Sequence, residues 1–279
     1  MYELEDGIIK LNHGAIKEGL IAVASGKGGV GKSTVTVNLA IALSKLGKKV
    51  GIIDADVHGF SIPRILGLEK SAKAISEEEI IPPEANGIKV MSMGSFVPEE
   101  NPVIWRAPLL LSALQQFMQD IHWGELDYLL FDLPPGTGDM ALNIMQKLPH
   151  AELLIITTPQ ITAVNVAGRI GKVADKLNSN ILGVIENMSY HICSNCGQKE
   201  YIFGQGGGSE LADKLNTRLL GEIPLLSEVR DYADKGQSLF EGSPESDATK
   251  IYLDMAKKIK EENHEFAEDL KPANLTGAK

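Results

Sequence analysis

Apolar residues recur along this chain in two alternating registers. Short, largely apolar runs at 20–24, 49–54, 88–93, 128–132, 153–157 and 181–185 have the length of buried strands. Between them lie stretches with helical spacing. Val35, Leu39, Leu43 and Leu46 share one helical face that stops at Gly47, and Leu110 and Leu114, with Phe117 or Met118, do the same over 107–121. Further helices are predicted at 163–177, near 209–216, near 226–235 and at 246–262, with a short strand at 218–223. Residues 57–87 are broken by Pro63, Pro82 and Pro83 and read as surface loops with a short helix. Strands that alternate with helices form βαβ units. The predicted fold is therefore α/β, a mostly parallel central sheet with helices on both faces, in three layers. Residues 1–19 show no sustained period and read as a loose arm. Residues 20–262 make one domain, with an insertion at 188–208, and 263–279 form a polar tail that frays from about residue 265.

The chemistry starts where the first strand ends. Gly26-Lys27-Gly28-Gly29-Val30-Gly31-Lys32-Ser33-Thr34 fits the phosphate-binding loop, a glycine, four residues, then Gly-Lys-Ser/Thr, placed between a strand and a helix. Glycines let successive N–H groups converge on phosphate oxygens. Lys32 brings a cation to the outer phosphates, Ser33 offers a hydroxyl to Mg²⁺, and the helix that follows aims its positive end at the anion. The loop predicts a nucleoside triphosphate site.

In an open α/β sheet, ligands gather at the carboxyl ends of strands. Asp54, Asp56 and Asp132 stand at such ends. Asp132 suits a Mg²⁺ held largely through water, although a turn or cap acid has the same appearance. Asp54 is divided between a Mg²⁺ shell and a structural role. His58 is assigned nothing, and Asp139 reads as a helix-start acid. Asn187 ends a strand with an amide that can both donate and accept, which suits a purine edge as well as a turn.

Cys193 and Cys196 are the only cysteines, spaced Cys-Ser-Asn-Cys-Gly. Two thiolates at this spacing are half of a four-thiolate zinc or 4Fe–4S site, whose other half would come from a second copy. A redox dithiol, a zinc shared between subunits and two inert thiols remain open on spacing alone.

The run Gly26–Thr34, with Lys27 directly after the first glycine, resembles the deviant phosphate-loop ATPases. That group includes MinD, ParA, the nitrogenase iron protein and the iron–sulfur carrier ATPases. The resemblance implies that Lys27 reaches across a homodimer to the partner's nucleotide. It further implies that Asp56, in Asp-Ala-Asp-Val-His-Gly, orients the attacking water in the first switch. Asp132 and Gly136, in Asp-Leu-Pro-Pro-Gly-Thr-Gly-Asp, match the second switch, with the Gly136 N–H sensing the outer phosphate. The resemblance also implies that Asn187 reads adenine and that Pro224, in Gly-Glu-Ile-Pro, stands on the opposite wall of that pocket.

A narrower likeness is to the Mrp-type iron–sulfur carrier ATPases. It rests on Asn187-Met188-Ser189, the two cysteines, Ile202-Phe203-Gly204-Gln205-Gly206-Gly207-Gly208, and Val103-Ile104-Trp105-Arg106-Ala107-Pro108, from about residue 20 to 260. Ser194 stands where those proteins usually have proline, and Ala107 where they more often have glycine. The resemblance implies an ATP-hydrolysing carrier that holds a 4Fe–4S cluster between two subunits through Cys193 and Cys196 and passes it to apo-proteins. Zinc is the alternative metal, and a MinD- or ParA-like spatial regulator is the alternative function.

Composition narrows the field. With 27 basic and 37 acidic side chains the net charge is −10, which disfavours a nucleic-acid partner. No apolar run reaches the ~20 residues needed to cross a bilayer, and the polar C-terminal end lacks the basic amphipathic character of a membrane helix. The acidic start, without a signal-peptide core, predicts a cytoplasmic protein.

Overall fold

The computed structural model describes residues 3–5, 8–57, 59–68, 72–74, 80–96, 107–136, 139–148, 150–177 and 179–269. His58, the segment 101–106 with Trp105 and Arg106, residues 137–138 and the end of the predicted tail lie outside them.

Seven strands form the parallel body of the sheet: β1 (Gly14–Ser25), β2 (Val50–Asp54), β3 (Ile88–Ser92), β4 (Gly124–Asp132), β5 (Ala151–Thr157), β6 (Ile181–Asn187) and β7 (Leu219–Ile223). Their order is β7-β6-β5-β1-β4-β2-β3, every adjacent pair parallel. The major helices are α1 (Lys32–Lys45), α2 (Ala107–Gln119), α3 (Asp139–Lys147), α4 (Ile161–Leu177), α5 (Gly207–Lys214), α6 (Ser227–Asp234) and α7 (Asp247–Asp269).

Alternation along the strands divides the interior in two. Ala22, Ala24, Phe131 and Ile155 face a core closed by Leu114 and Phe117 of α2, Ile144 of α3, Ala167 and Ile170 of α4, and Leu211 of α5. Ile21, Val23, Leu130 and Ile156 face the other core, closed by Leu39 and Leu43 of α1 and by Tyr252, Met255 and Ile259 of α7. The three layers are those expected from the sequence.

The ends of the chain depart from expectation. The predicted loose arm is largely sheet: Ile8–Leu11 pairs antiparallel with the start of β1, Ile9 opposite Ile16, and residues 14–19 belong to β1 itself. Leu11, Ala15 and Ile16 are buried there. Three glycines between short polar stretches hide this pairing from a periodicity reading. At the other end, α7 continues to Asp269, past the predicted limit at 262.

Helix α1 is not the one-faced helix its leucine spacing predicts. Thr36, Val37, Asn38, Ala40, Ile41 and Ala42 are buried along with Val35, Leu39 and Leu43. It lies between the sheet and α7, which covers the side that a surface helix gives to water.

Candidate functional site: the nucleotide cleft and the cysteine hairpin

Strand β1 stops at Ser25, and the chain turns through Gly29 (φ 81°) and Gly31 (φ 82°) into α1. Each glycine has its own reason. A Cβ on Gly26 would lie 2.5 Å from the backbone nitrogen of Ala167, so α4 presses directly on the loop. A Cβ on Gly28 or Gly29 would meet no atom within 4 Å, because both face the open cradle. Gly31 combines a left-handed backbone with Asn187 Nδ2 lying 2.3 Å from the place of a Cβ. Substituting Gly31→Ala is therefore expected to displace Asn187 and to cost about 1–2 kcal/mol of backbone strain. A thermal melt should show a folded protein while nucleotide titration shows binding lost. The first turn of α1 holds no acidic residue and no side-chain cap, which leaves its N–H groups free for an anion.

Behind the loop, Lys32 is buried between two acids. Its Nζ is 2.8 Å from Asp132 Oδ2 and 3.6 Å from Asp56 Oδ2. Asp132 is fully enclosed and fully engaged. Ser33 Oγ donates to Oδ2 at 2.6 Å, and Thr36 Oγ1 donates to Oδ1 at 2.9 Å. Lys27, Lys32, Ser33, Thr34, Asp56 and Pro135 line one cavity with Gly28, Gly29, Val30 and Gly31. The structure thus brings together the loop and both predicted switch acids.

Asp54 pairs in register with Asp132 on the neighbouring strand. Its Oδ2 accepts from Ser92 Oγ at 3.1 Å and its Oδ1 from the Asp56 N–H at 3.3 Å. Burial, with the Asp132 charge second, pushes its carboxyl up to about 7. These partners favour the structural role for Asp54.

Gly136 is placed differently from its expected use. Its N–H donates to the Ser25 carbonyl at 2.8 Å, so the turn after Asp132 is hydrogen-bonded to the end of β1 rather than aimed at the phosphate cradle. Turning this N–H to a phosphate requires that bond to break. Lys27 is likewise engaged within its own chain, with Nζ donating to Gln160 Oε1 at 2.7 Å.

A second cavity opens beside the first, lined by Gly31, Thr34, Arg64, Asn187, Pro224 and Val229 among others. Asn187 and Pro224 both line it. Asn187 spends one amide hydrogen on the Val30 carbonyl at 2.8 Å, leaving its carbonyl oxygen and second hydrogen for a ligand.

The insertion 188–208 springs from the end of β6. It forms a small hairpin, His191–Ile192 against Lys199–Glu200, with both cysteines at its tip. The tip is closed by the Cys193 N–H to the Gln198 carbonyl at 3.0 Å and the Gly197 N–H to the Cys193 carbonyl at 2.8 Å, with Gly197 left-handed (φ 72°). Cys193 is half-buried and Cys196 exposed. N–H groups of Cys196 and Asn195, and the Cys196 side chain, hydrogen-bond the Cys193 sulfur and hold its thiol below the ordinary range. Among the described residues, no three His, Cys, Asp or Glu side chains gather to hold a metal ion. The hydrogen bonds from Cys196 to the Cys193 sulfur hold the two thiols together as a pair.

Three contributors escaped the sequence reading: Thr36, Gln160 and Glu186. Thr36 was accessible, since it lies one helical turn after Lys32. Gln160 reaches Lys27 across 133 positions, which no local pattern encodes.

Comparison with known proteins agrees with this geometry. The sequence profile of the ParA group described as NUBPL iron-transfer P-loop NTPase matches residues 16–260. The chain belongs to this family. An iron–sulfur cluster carrier protein from Bacillus subtilis is 50% identical over 240 residues, covering 86% of this chain and 67% of the relative. This family member spans about two thirds of the length of the curated relatives it matches. A nucleotide-binding protein from Archaeoglobus fulgidus, solved in complex with ADP and with cobalt found by PIXE, is 41% identical. It superposes with a TM-score of 0.72 over 84% of this chain and 92% of that one. The cell division ATPase MinD of Pyrococcus furiosus shares the fold at 25% identity and a TM-score of 0.66, over 88% and 99% of the two chains. Among the described residues, no helix is long and apolar enough to cross a membrane.

Proposed function

We propose that this protein is an ATP-hydrolysing iron–sulfur cluster carrier, working as a homodimer that holds a 4Fe–4S cluster between its subunits and delivers it to apo-proteins in the cytoplasm. The observation that carries this reading is the hydrogen-bonded Cys193–Cys196 pair growing from the same strand end that lines the nucleotide pocket. Family membership and the named function of its relatives support it.

In this reading Gly26 to Thr34 cradle the phosphates, and Lys32 neutralises charge on the outer ones. Asn187 offers its free amide groups to adenine, with Pro224 across the base. Asp56 positions the water that attacks the outer phosphate. The oxygen donors suit Mg²⁺: Ser33 would hold it directly and Asp132 through water, and the ion would offset charge on the phosphates. Lys27 leaves Gln160 and reaches the partner's nucleotide, while the Gly136 N–H exchanges Ser25 for the outer phosphate. Both exchanges swap one hydrogen bond for another, so their net cost is small. Cluster thiolates come two from each copy, because one chain supplies only two cysteines.

The test is anaerobic reconstitution with iron and sulfide, read by visible absorption, metal analysis and sizing with and without ATP. Cluster absorption with about four irons per two chains, in a dimer, is the expected result. A monomer that takes up no iron with ATP present overturns the carrier reading and leaves a nucleotide switch.

A further inference from the structure

Glu186 and Asn187 are consecutive residues at the end of β6, so strand geometry sends their side chains to opposite faces. Asn187 is bonded to the phosphate loop at the Val30 carbonyl. Glu186 does something the assigned chemistry does not use. It is a carboxylate at 1% exposure, and it ties both ends of the cysteine insertion. Its Oε1 accepts from Ser189 Oγ, on the outgoing chain, and its Oε2 accepts from the Gly208 N–H, where the chain returns as α5 begins. The approach is close enough that a Cβ on Gly208 would fall 2.7 Å from Glu186 Cβ. The exit is also fixed by Met188 in a left-handed conformation (φ 56°) and by the Ser189 N–H on the Ile223 carbonyl at 2.9 Å. On the return side, a Cβ on Gly207 would lie 2.5 Å from the Pro159 carbonyl, one residue from the Gln160 that holds Lys27.

We propose that Glu186 is a positioning residue through which the state of the phosphate loop sets the placement of the cysteine hairpin. The inference rests on the functional reading above for what the two sites bind, but not for their connection. A shift of Val30 and Gly31 moves Asn187, and the next residue along the rigid strand is the knot that anchors both feet of the hairpin. Without the Glu186 carboxylate, the hairpin keeps its backbone bonds to the β7 side, Ser189 to Ile223 and Leu225 to Tyr190, but loses the tie that joins its two feet to the end of β6. Its feet then no longer follow the strand end, and what happens at the loop stops reaching the thiols.

Hydrogen exchange of the full chain, with ADP as the probe, tests this. In the unmodified protein ADP should slow exchange in 26–34 and change exchange in 189–206 by about fivefold or more, the low end of ordinary site-to-site coupling. Glu186→Ala should keep the first response and lose the second. Glu186→Gln, which keeps an acceptor oxygen, should retain both. If Glu186→Ala does not fold, Ser189→Ala cuts one of the two ties and should weaken the hairpin response alone. A hairpin response that persists in Glu186→Ala, or is undiminished in Ser189→Ala where that variant carries the test, overturns the proposal, as does its absence in the unmodified protein. Iron uptake measured on the same samples separates the two readings: exchange coupling without iron defeats the carrier function and leaves the knot standing.

Discussion

Replacing Lys32 with alanine will unfold the protein more readily as well as silence its nucleotide site. The Lys32 ammonium sits at 5% exposure against an Asp132 carboxylate at 0%, with Asp56 close by. Removing one partner of such a buried pair leaves the other charge without compensation, typically at a cost of about 3–5 kcal/mol. Ser33 and Thr36 continue to donate to Asp132, which places the expected loss at the lower end of that range. A guanidinium titration should show the midpoint falling with the slope unchanged, and calorimetry should show no nucleotide binding. Asp132→Asn reverses the imbalance by leaving Lys32 with Asp56 alone, and the double variant should lose less than the sum of the two singles. A Lys32→Ala protein within about 1 kcal/mol of the parent would mean that the ammonium is not part of the structural core. The same lysine thus serves stability before it serves phosphate, and a loss of activity in this variant is interpretable only with the unfolding curve beside it.

What the sequence reveals follows from how local each feature is. Loop, strand ends and cysteine pair were legible because their residues are adjacent or lie at positions the parallel fold must bring together. Val23 to Ser25, Ile53 and Asp54, and Phe131 and Asp132 are apolar runs ending in polar residues, and the sheet order places these ends side by side. Pro224 opposite Asn187 was an expectation from the family resemblance alone; the structure puts both in one cavity because β6 and β7 are neighbours. The hydrogen-bond partners of Gly136 and Lys27 were not legible. Gly136 bonded to Ser25 and Lys27 bonded to Gln160 are choices among competing hydrogen bonds of similar strength, and composition does not rank them. Glu186 was invisible for another reason. An acid in a buried strand run reads as a tolerated polar residue until the chain returns, 22 positions later, to give its second oxygen a partner. The burial of α1 on nearly all sides is a tertiary fact that overrides the leucine spacing, because α7, more than 200 residues on, supplies the covering layer.

Changing both Cys193 and Cys196 to serine should remove all iron while leaving fold and nucleotide binding in place. The thiols are exposed or half-buried at a hairpin tip, away from either core, so the substitution should move stability by no more than about 0.5 kcal/mol. The tip is held by backbone bonds, the Cys193 N–H to the Gln198 carbonyl and the Gly197 N–H to the Cys193 carbonyl, which serine leaves intact. The hairpin therefore keeps its shape and loses only its sulfur. Iron needs that sulfur: an Fe–S cluster is held by thiolate ligands, and serine oxygens are poor substitutes for a soft centre. Single variants discriminate further. If each copy lends two thiolates to one centre, Cys193→Ser alone leaves a dimer with two of four ligands, and the cluster should be lost or short-lived rather than halved. Iron content falling to half in the single variants would instead indicate independent sites, one on each chain. Iron retained at full occupancy in the double variant would place the cargo elsewhere altogether, and the hairpin would then be a structural appendage of a nucleotide switch.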